Sequence, residues 1–302
     1  MMHIPRFRNL PMAELSLIGV TILWGGTFLV VHIAVEMTGA LFLVGLRFLI
    51  AGLLALLFCW GNLRQLTRTE LFAGTAIGCS IFTGYGLQTY GLQTTESSTS
   101  AFLTALYVPL VPLLQWIVFR KPPALFSWLG IALAFVGLLL VSGGGAGALT
   151  LSEGEIATLI GTLGIAVEIM LIGYFAPFVD SRRVTVIQLL AVAAFAFACM
   201  PLAGAGLPSF SWVWIAAIGG LGAASAIIQL AMNWAQKTVS PTRATVIYAG
   251  EPVWAGILGR IAGERLGPLA LVGGALIVVG VLVSELRPAR PVVRSDASEN
   301  RA

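Results

Sequence analysis

The sequence predicts an all-α integral membrane protein of ten transmembrane helices, arranged as two inverted five-helix repeats. Three observations carry that expectation. Of 302 residues, 58% are hydrophobic and only 10% charged, where a soluble domain carries roughly a quarter charged residues. The apolar residues fall into blocks of about 20, the length that crosses a hydrocarbon core as a helix. The chain also matches itself when displaced by 143 residues, as a duplicated unit would.

Breaks rich in charge, Gly, Pro or Ser separate blocks at 15–35, 39–60, 71–92, 98–119, 124–142, 153–175, 184–206, 211–233, 240–263 and 266–285. The first follows a basic stretch with Arg6 and Arg8, as a cleaved signal peptide would, but it is too long for one and belongs to the repeat. The chain then divides into a first repeat over 13–142, a second over 153–285 and a Pro/Arg-rich tail over 286–302, whose composition is that of a disordered cytoplasmic end.

The 17 basic residues assign the sides. Arg6, Arg8, Arg64, Arg68, Arg120, Lys121, Arg182, Arg183, Lys237, Arg243, Arg287, Arg290, Arg294 and Arg301 fall in segments that share one face of the membrane. Arg260 and Arg265 alone fall on the other, and Arg47 lies within the second span. The positive-inside rule then puts both termini in the cytoplasm, which an even number of spans also requires. Basic residues dispersed in this way orient a membrane protein; they do not form a nucleic-acid surface.

Without a gap, 93–140 aligns with 236–283. Composition alone does not explain the shared Gln-x-Thr-x-Ser-x-Thr-x-Ala run from Gln93 and Gln236, or the paired Pro109 and Pro252. A unit of five spans crosses an odd number of times, so its second copy runs upside down. Two similar halves of opposite orientation can exchange packings and open a central site to each side in turn.

Charge inside a span costs about 2.5–3.5 kcal/mol near the centre and faces the bundle interior or a water-filled cavity. Arg47, Glu168 and Glu251 are the candidates. Pro252 directly follows Glu251 and leaves the Tyr248 carbonyl without its helical donor; Pro109 does the same to Ala105, so the two prolines predict symmetric helix distortions at mid-depth. Trp24, Thr27, Tyr85, Gln88, Tyr107, Asn233 and Tyr248 complete the candidate substrate pathway as polar and aromatic residues deep within spans. Single aromatics in spans are ordinarily packing, and Arg47 reads more readily as a helix anchor than as a ligand. Gly143-Gly-Gly-Ala-Gly147 lacks the lysine and hydroxyl of a phosphate loop and reads as a linker between repeats. No cofactor or metal is expected; the three cysteines lie in separate spans.

The stretch Tyr248-Ala-Gly-Glu-Pro-Val-Trp-Ala-Gly-Ile-Leu-Gly-Arg-Ile-Ala-Gly-Glu-Arg-Leu-Gly-Pro268, with Gly273 and Gly280 after it, resembles the second-repeat signature of the EamA-type branch of the drug/metabolite transporter superfamily. Trp24-Gly25-Gly26-Thr27 and Leu46-Arg47-Phe48 resemble the first repeat of that branch. The resemblance implies a permease in the bacterial plasma membrane that exports amino acids or other small metabolites. Two positions depart from it: Lys121 stands where Glu264 stands in the second copy, and Glu168 stands where the branch shows an aromatic.

The expected partners are a small-molecule substrate and the lipid bilayer, with protons as the candidate coupling ion because two carboxylates lie within spans. A monomer and a homodimer both remain open. Beside metabolite export stand a multidrug or lipophilic-compound efflux permease and an uptake facilitator, and outside transport a membrane scaffold or an intramembrane enzyme. The last would need paired acidic or His–Glu groups on facing spans, and the sequence offers only isolated glutamates.

Overall fold

The structure, a computed structural model, describes residues 12–120, 125–141 and 151–284. Arg6, Arg8, Lys121, the glycine-rich linker and the 286–302 tail lie outside the described residues. Twelve α-helices, with a 3-10 helix over Trp60–Gln65, lie among the described residues: α1 (Met12–Thr38), α2 (Ala40–Cys59), α3 (Arg68–Gly91), α4 (Ser97–Thr104), α5 (Tyr107–Phe119), α6 (Leu125–Val141), α7 (Glu153–Phe175), α8 (Ser181–Cys199), α9 (Trp212–Ala235), α10 (Pro241–Tyr248), α11 (Glu251–Ile261) and α12 (Pro268–Ser284). Their starts follow local chemistry. Thr67 with Glu70 and Ser152 with Glu155 form reciprocal capping boxes on α3 and α7, and the Asp180 carboxylate accepts from two amides of α8.

Among the described residues, six segments are long and apolar enough to cross a membrane: Met12–Thr38, Ala40–Gln65, Ser97–Val118, Glu153–Phe175, Ser181–Leu202 and Trp212–Ala235. Large apolar side chains point outward, with Leu57 72% and Phe58 79% exposed, while Glu168, Gln188 and Thr158 are fully buried. A polar interior beneath an apolar exterior is the arrangement lipid demands.

Two predicted spans are each split. The segment 98–119 becomes α4 and α5 with a turn at Ala105 and Leu106, and 240–263 becomes α10 and α11 with a turn at Ala249 and Gly250. Pro109 and Pro252 therefore do not kink continuous helices. Each lies in the first turn of its second half-helix, where no intrahelical donor is missed. The Ala105 carbonyl expected to be free accepts from the Val108 amide at 3.0 Å. The proline inside a helix is Pro112.

Helices recur with matched lengths: α3 and α9 have 24 residues, α4 and α10 have 8, α6 and α12 have 17. Their contacts recur as well. Helix α1 packs on α9 and α11 as α7 packs on α3 and α5; α2 packs on α8 and α9 as α8 packs on α2 and α3; α6 packs on α12. Helices α2 and α8 run antiparallel, Gly45 facing Phe197 and Gly52 facing Leu190, so closely that a Cβ on either glycine would collide. The register differs from the sequence match by one residue. Turn hydrogen bonds repeat at 144, as in Ala105 to Ala101 and Ala249 to Thr245, rather than at 143.

Both ends of the bundle carry ionic fastenings. At the end where α1, α3, α8 and α10 begin, Arg243 pairs with Glu14, and Glu70 accepts from Arg183 Nε at 2.8 Å and from the Asp180 amide at 3.0 Å. Burial raises the Glu70 carboxyl, but the bonds from Arg183, Asp180 and Thr67 outweigh it and hold its pKa down at about 2. At the other end, Glu264 accepts from the amides and hydroxyls of both Ser97 and Ser98 at the start of α4. Gly263, at φ +101°, provides the reversal that returns Glu264 onto α4. Those four bonds outweigh the opposing effect of burial and lower the Glu264 pKa.

Candidate functional site

The buried centre holds the same three-helix arrangement twice, with different chemistry in each copy. In the first, Trp24 of α1 donates its indole N–H to the Tyr85 hydroxyl of α3 at 2.7 Å. Arg47 of α2 lies over the Tyr85 ring at 5.4 Å and over Phe48 at 5.3 Å, and its Nε donates to Ser225 Oγ at 2.7 Å. In the second, Gln229 of α9 donates to Glu168 Oε1 of α7 at 2.7 Å, and Gln188 of α8 donates to Gln229 Oε1 at 2.7 Å. Trp24 and Glu168 are 144 residues apart, as are Tyr85 and Gln229. An aromatic–cation set thus stands opposite a carboxylate–amide set.

Between them, Tyr107 at the start of α5 donates to Glu251 Oε2 at the start of α11, at 3.1 Å. These two residues are also 144 positions apart, so the bond joins equivalent points of the two halves. The turns preceding α5 and α11 bring both side chains to the middle of the bundle. Here the broken helices have a positional consequence: each second half-helix begins inside the protein, with its first residue at the shared centre.

A small enclosed pocket lies against this pair, lined by Trp24, Thr27, Phe28, Tyr85, Gln88, Thr104, Tyr107, Ile165 and Glu251. It has room for about one water molecule. Six of the ten residues singled out as a substrate pathway line it. Tyr248 joins through Trp24, whose ring it meets edge-on at 5.2 Å, and Arg47 joins through Tyr85. Glu168 lies one helical turn from Ile165, and Asn233 ends the amide chain by donating to Gln188 Oε1 at 3.2 Å. Eight of the ten therefore belong to one buried cluster, and Glu168 and Asn233 belong to the amide chain beside it.

Gln188, Gln229, Thr104 and Ser225 join the cluster without being among the residues the sequence singles out. Gln229 and Asn233 are one turn apart on α9, a polar pair in an apolar helix that offered a signal. Thr104 offers none, and enters the cluster by accepting from Gln88 Nε2 at 2.9 Å. Among the described residues, no group of three or more His, Cys, Asp or Glu side chains is placed to hold a metal ion. The cysteines are free, with Cys59 buried and Cys79 exposed on the outer face.

A polytopic helical bundle with an apolar exterior and a buried, nearly two-fold polar centre is an architecture that membrane transporters use. The chain belongs to the EamA-like transporter family, whose model matches it twice, over residues 11–143 and 152–286, and through it to the drug/metabolite transporter superfamily. It is 29% identical to the uncharacterized inner membrane transporter YedA of Escherichia coli strain K12, over 95% of this chain and 96% of that protein. It is 28% identical to an uncharacterized transporter of Archaeoglobus fulgidus, over 91% of this chain and 86% of that one. A solved crystal structure superposes with a TM-score of 0.65 at 21% identity, covering 91% of this chain and 96% of the other, which shows a shared fold.

Proposed function

We propose that the protein is a secondary transporter that exports amino acids or other small metabolites across the plasma membrane by alternating access, with ten spans in two inverted repeats, 13–142 and 153–285. The observation that carries this reading is the Tyr107–Glu251 bond between equivalent points of the two halves. A substrate held at that point contacts both halves, so their relative rocking exposes it to either side. The antiparallel run of α2 and α8 supports the inversion, and the distribution of basic residues supports cytoplasmic termini. YedA, named as an inner membrane transporter, supports the location.

In this reading Trp24, Thr27, Tyr85, Gln88, Tyr107 and Glu251 form the substrate site, closed in the present conformation. Glu168 and Glu251 exchange the coupling proton, since each is a buried carboxylate without a paired cation among the described residues. The test is transport by purified protein in proteoliposomes, guided by the metabolites that change in the medium between deletion and overexpression strains. Export accelerated by an opposing pH gradient, and lost in Glu168→Gln and Glu251→Gln, is expected. Rates indifferent to the gradient and to both substitutions eliminate proton coupling; no compound moving in either assay eliminates export.

One observation favours efflux of lipophilic compounds as a second reading. A cavity of about 780 Å³ lies among α4, α11 and α12, walled by apolar groups such as Phe102, Pro252, Ile257 and Leu271. Its volume suits a drug-sized molecule. Faster efflux of a lipophilic dye than of any amino acid by the same proteoliposomes selects this reading over the first.

A further inference from the structure

Helix α12 leaves α11 after the turn over 262–267 and packs on α6 rather than back on its neighbour. The wedge left between them is the cavity of about 780 Å³, closed behind by Phe102 of α4. Its mouth is apolar and opens sideways: Val253 and Ile257 on α11, and Leu271 and Val279 on α12, are each about half exposed. Behind this rim the walls are hollowed by glycine. Gly274 lies so close to the Phe102 ring that a Cβ there would collide, whereas a Cβ on Gly256 would meet only the tip of that ring, at 3.9 Å. Along α11 the cavity runs from Pro252 to Arg260, about 12 Å at roughly 1.5 Å per residue. That is close to half of a hydrocarbon core of roughly 30 Å, the depth of one leaflet.

One end of this groove is charged. Arg260 and Glu264 line it, together with the start of α12 at Pro268. The Glu264 carboxylate is taken up by the amides and hydroxyls of Ser97 and Ser98. Arg260 is exposed, and among the described residues no ion pair or hydrogen bond engages its side chain. The positive end of the α12 dipole adds to its field. A cation at the end of an apolar groove one leaflet deep matches an anionic head joined to an acyl chain. The guanidinium pairs with a phosphate through two parallel N–H bonds, and the chain covers the half-exposed rim. A second copy of the protein fits the groove poorly, because helices in lipid meet through small residues and here bulky branched side chains stand in front of the glycines. A neutral lipophilic compound fills the groove but leaves Arg260 without a counter-charge.

We propose that the groove between α11 and α12 is a seat for an anionic phospholipid of the bilayer, with its phosphate on Arg260 and one acyl chain running past Gly256 to Pro252. The assignment rests on the place of the chain in a membrane and is independent of what it carries. It gives the cavity a resident where the lipophilic-efflux reading gives it a passing cargo.

The test uses the full chain, delipidated in neutral detergent, with thermal unfolding followed by tryptophan fluorescence and retained lipid counted by native mass spectrometry. The probes are phosphatidylglycerol, phosphatidylcholine and diacylglycerol with the same acyl chains, and sodium phosphate. Phosphatidylglycerol should raise the unfolding temperature in a saturable way, with the other two lipids at least fivefold weaker and phosphate without effect. Arg260→Gln should weaken phosphatidylglycerol at least fivefold and bring it level with phosphatidylcholine. Arg265→Gln, at an exposed residue of the same end that does not line the groove, should change binding less than twofold. Gly256→Leu fills the groove from α11 and Ala275→Leu from α12. Each should weaken every lipid severalfold without lowering the unfolding temperature of the lipid-free protein, and the pair keeps the proposal testable if one variant does not fold. Equal binding of phosphatidylcholine, an equal response to phosphate alone, or phosphatidylglycerol binding undiminished in Arg260→Gln overturns the seat. So does a lipophilic dye whose efflux stops in Gly256→Leu while phosphatidylglycerol binds as before, a result that makes the cavity a cargo route. Transport by a protein with no preference for phosphatidylglycerol refutes the seat and leaves the transporter reading intact. Arg260-dependent lipid binding with no transport of any compound does the reverse.

Discussion

Tyr107 and Glu251 are equivalent residues of two successive structural units, and they are hydrogen-bonded to each other at 3.1 Å. Few relationships tie two halves of a chain so directly. Tyr107→Phe removes the donor and leaves a buried carboxylate oxygen unpaired, so it should destabilise the protein by about 1–3 kcal/mol. Glu251→Gln keeps an acceptor for Tyr107 and removes the charge; its unfolding temperature should equal or exceed that of the parent while pH-driven transport falls. Thermal unfolding in detergent and proteoliposome flux check the two halves of this prediction. Equal losses of stability in both variants contradict it.

Much of this centre was legible because polar residues in apolar spans are costly and therefore conspicuous. Trp24, Arg47, Glu168 and Glu251 announce themselves in that way. What the sequence hid was geometry. The break at Ala105-Leu106 consists of residues that favour no break and only Gly250 marks the second, while the prolines that hint at distortion lie just beyond, in positions that cost nothing. The sequence match at 143 residues follows identical side chains, whereas the hydrogen-bonded turns repeat at 144. Tyr107 and Glu251 are thus equivalent in space although the match pairs Glu251 with Val108. The bond from Gln188 to Gln229 is hidden for a related reason: a relay across α7, α8 and α9 depends on helix rotations that apolar periodicity fixes poorly in lipid, where both faces are hydrophobic.

Glu264 should hold the end of the bundle opposite Glu14 and Glu70 closed. Its carboxylate occupies the first amides of α4 and both serine hydroxyls, as a capping side chain does. Glu264→Ala should cost about 1–2 kcal/mol, the scale of losing a helix cap. It should also loosen α4, whose last residue, Thr104, lines the central pocket. In a background with Cys59, Cys79 and Cys199 replaced, a cysteine at position 104 should react severalfold faster with a membrane-impermeant maleimide once Glu264 is Ala. Unchanged labelling means that this end is held by apolar packing instead.

The Glu70–Arg183 pair makes a pH prediction of definite sign. Glu70 has its pKa depressed from 4.5 to about 2, so the folded state favours the ionised form. Its stabilising contribution is complete above about pH 4.5 and drains away as pH falls toward 2. Glu70→Gln should therefore be less stable than the parent at pH 7 by about 2 kcal/mol, the range for removing one partner of a buried pair after allowance for solvent. The gap should narrow steadily below pH 4.5. Unfolding temperatures measured from pH 7 to pH 3 check this, and a gap that widens on acidification refutes it.

Arg47 separates an anchoring role from a role in transport. It is 2% exposed, and among the described residues no carboxylate pairs with it; Ser225 and two ring faces are its partners. A buried charge replaced by a well-packed apolar group of similar volume is often neutral or stabilising. Arg47→Met should accordingly unfold at the parent temperature or above it. Arg47→Lys should be worse by about 1 kcal/mol, because a compact ammonium loses the planar stacking over Tyr85 and Phe48. Ser225→Ala should also destabilise by roughly 1 kcal/mol, since it leaves Nε unpaired. If Arg47 only joins helices, Arg47→Met retains full transport. We expect instead a loss of at least tenfold, because Tyr85 both lies under the guanidinium and lines the pocket, so a charge held there acts on whatever the pocket contains. A stable Arg47→Met protein that transports at the parent rate would return Arg47 to packing alone.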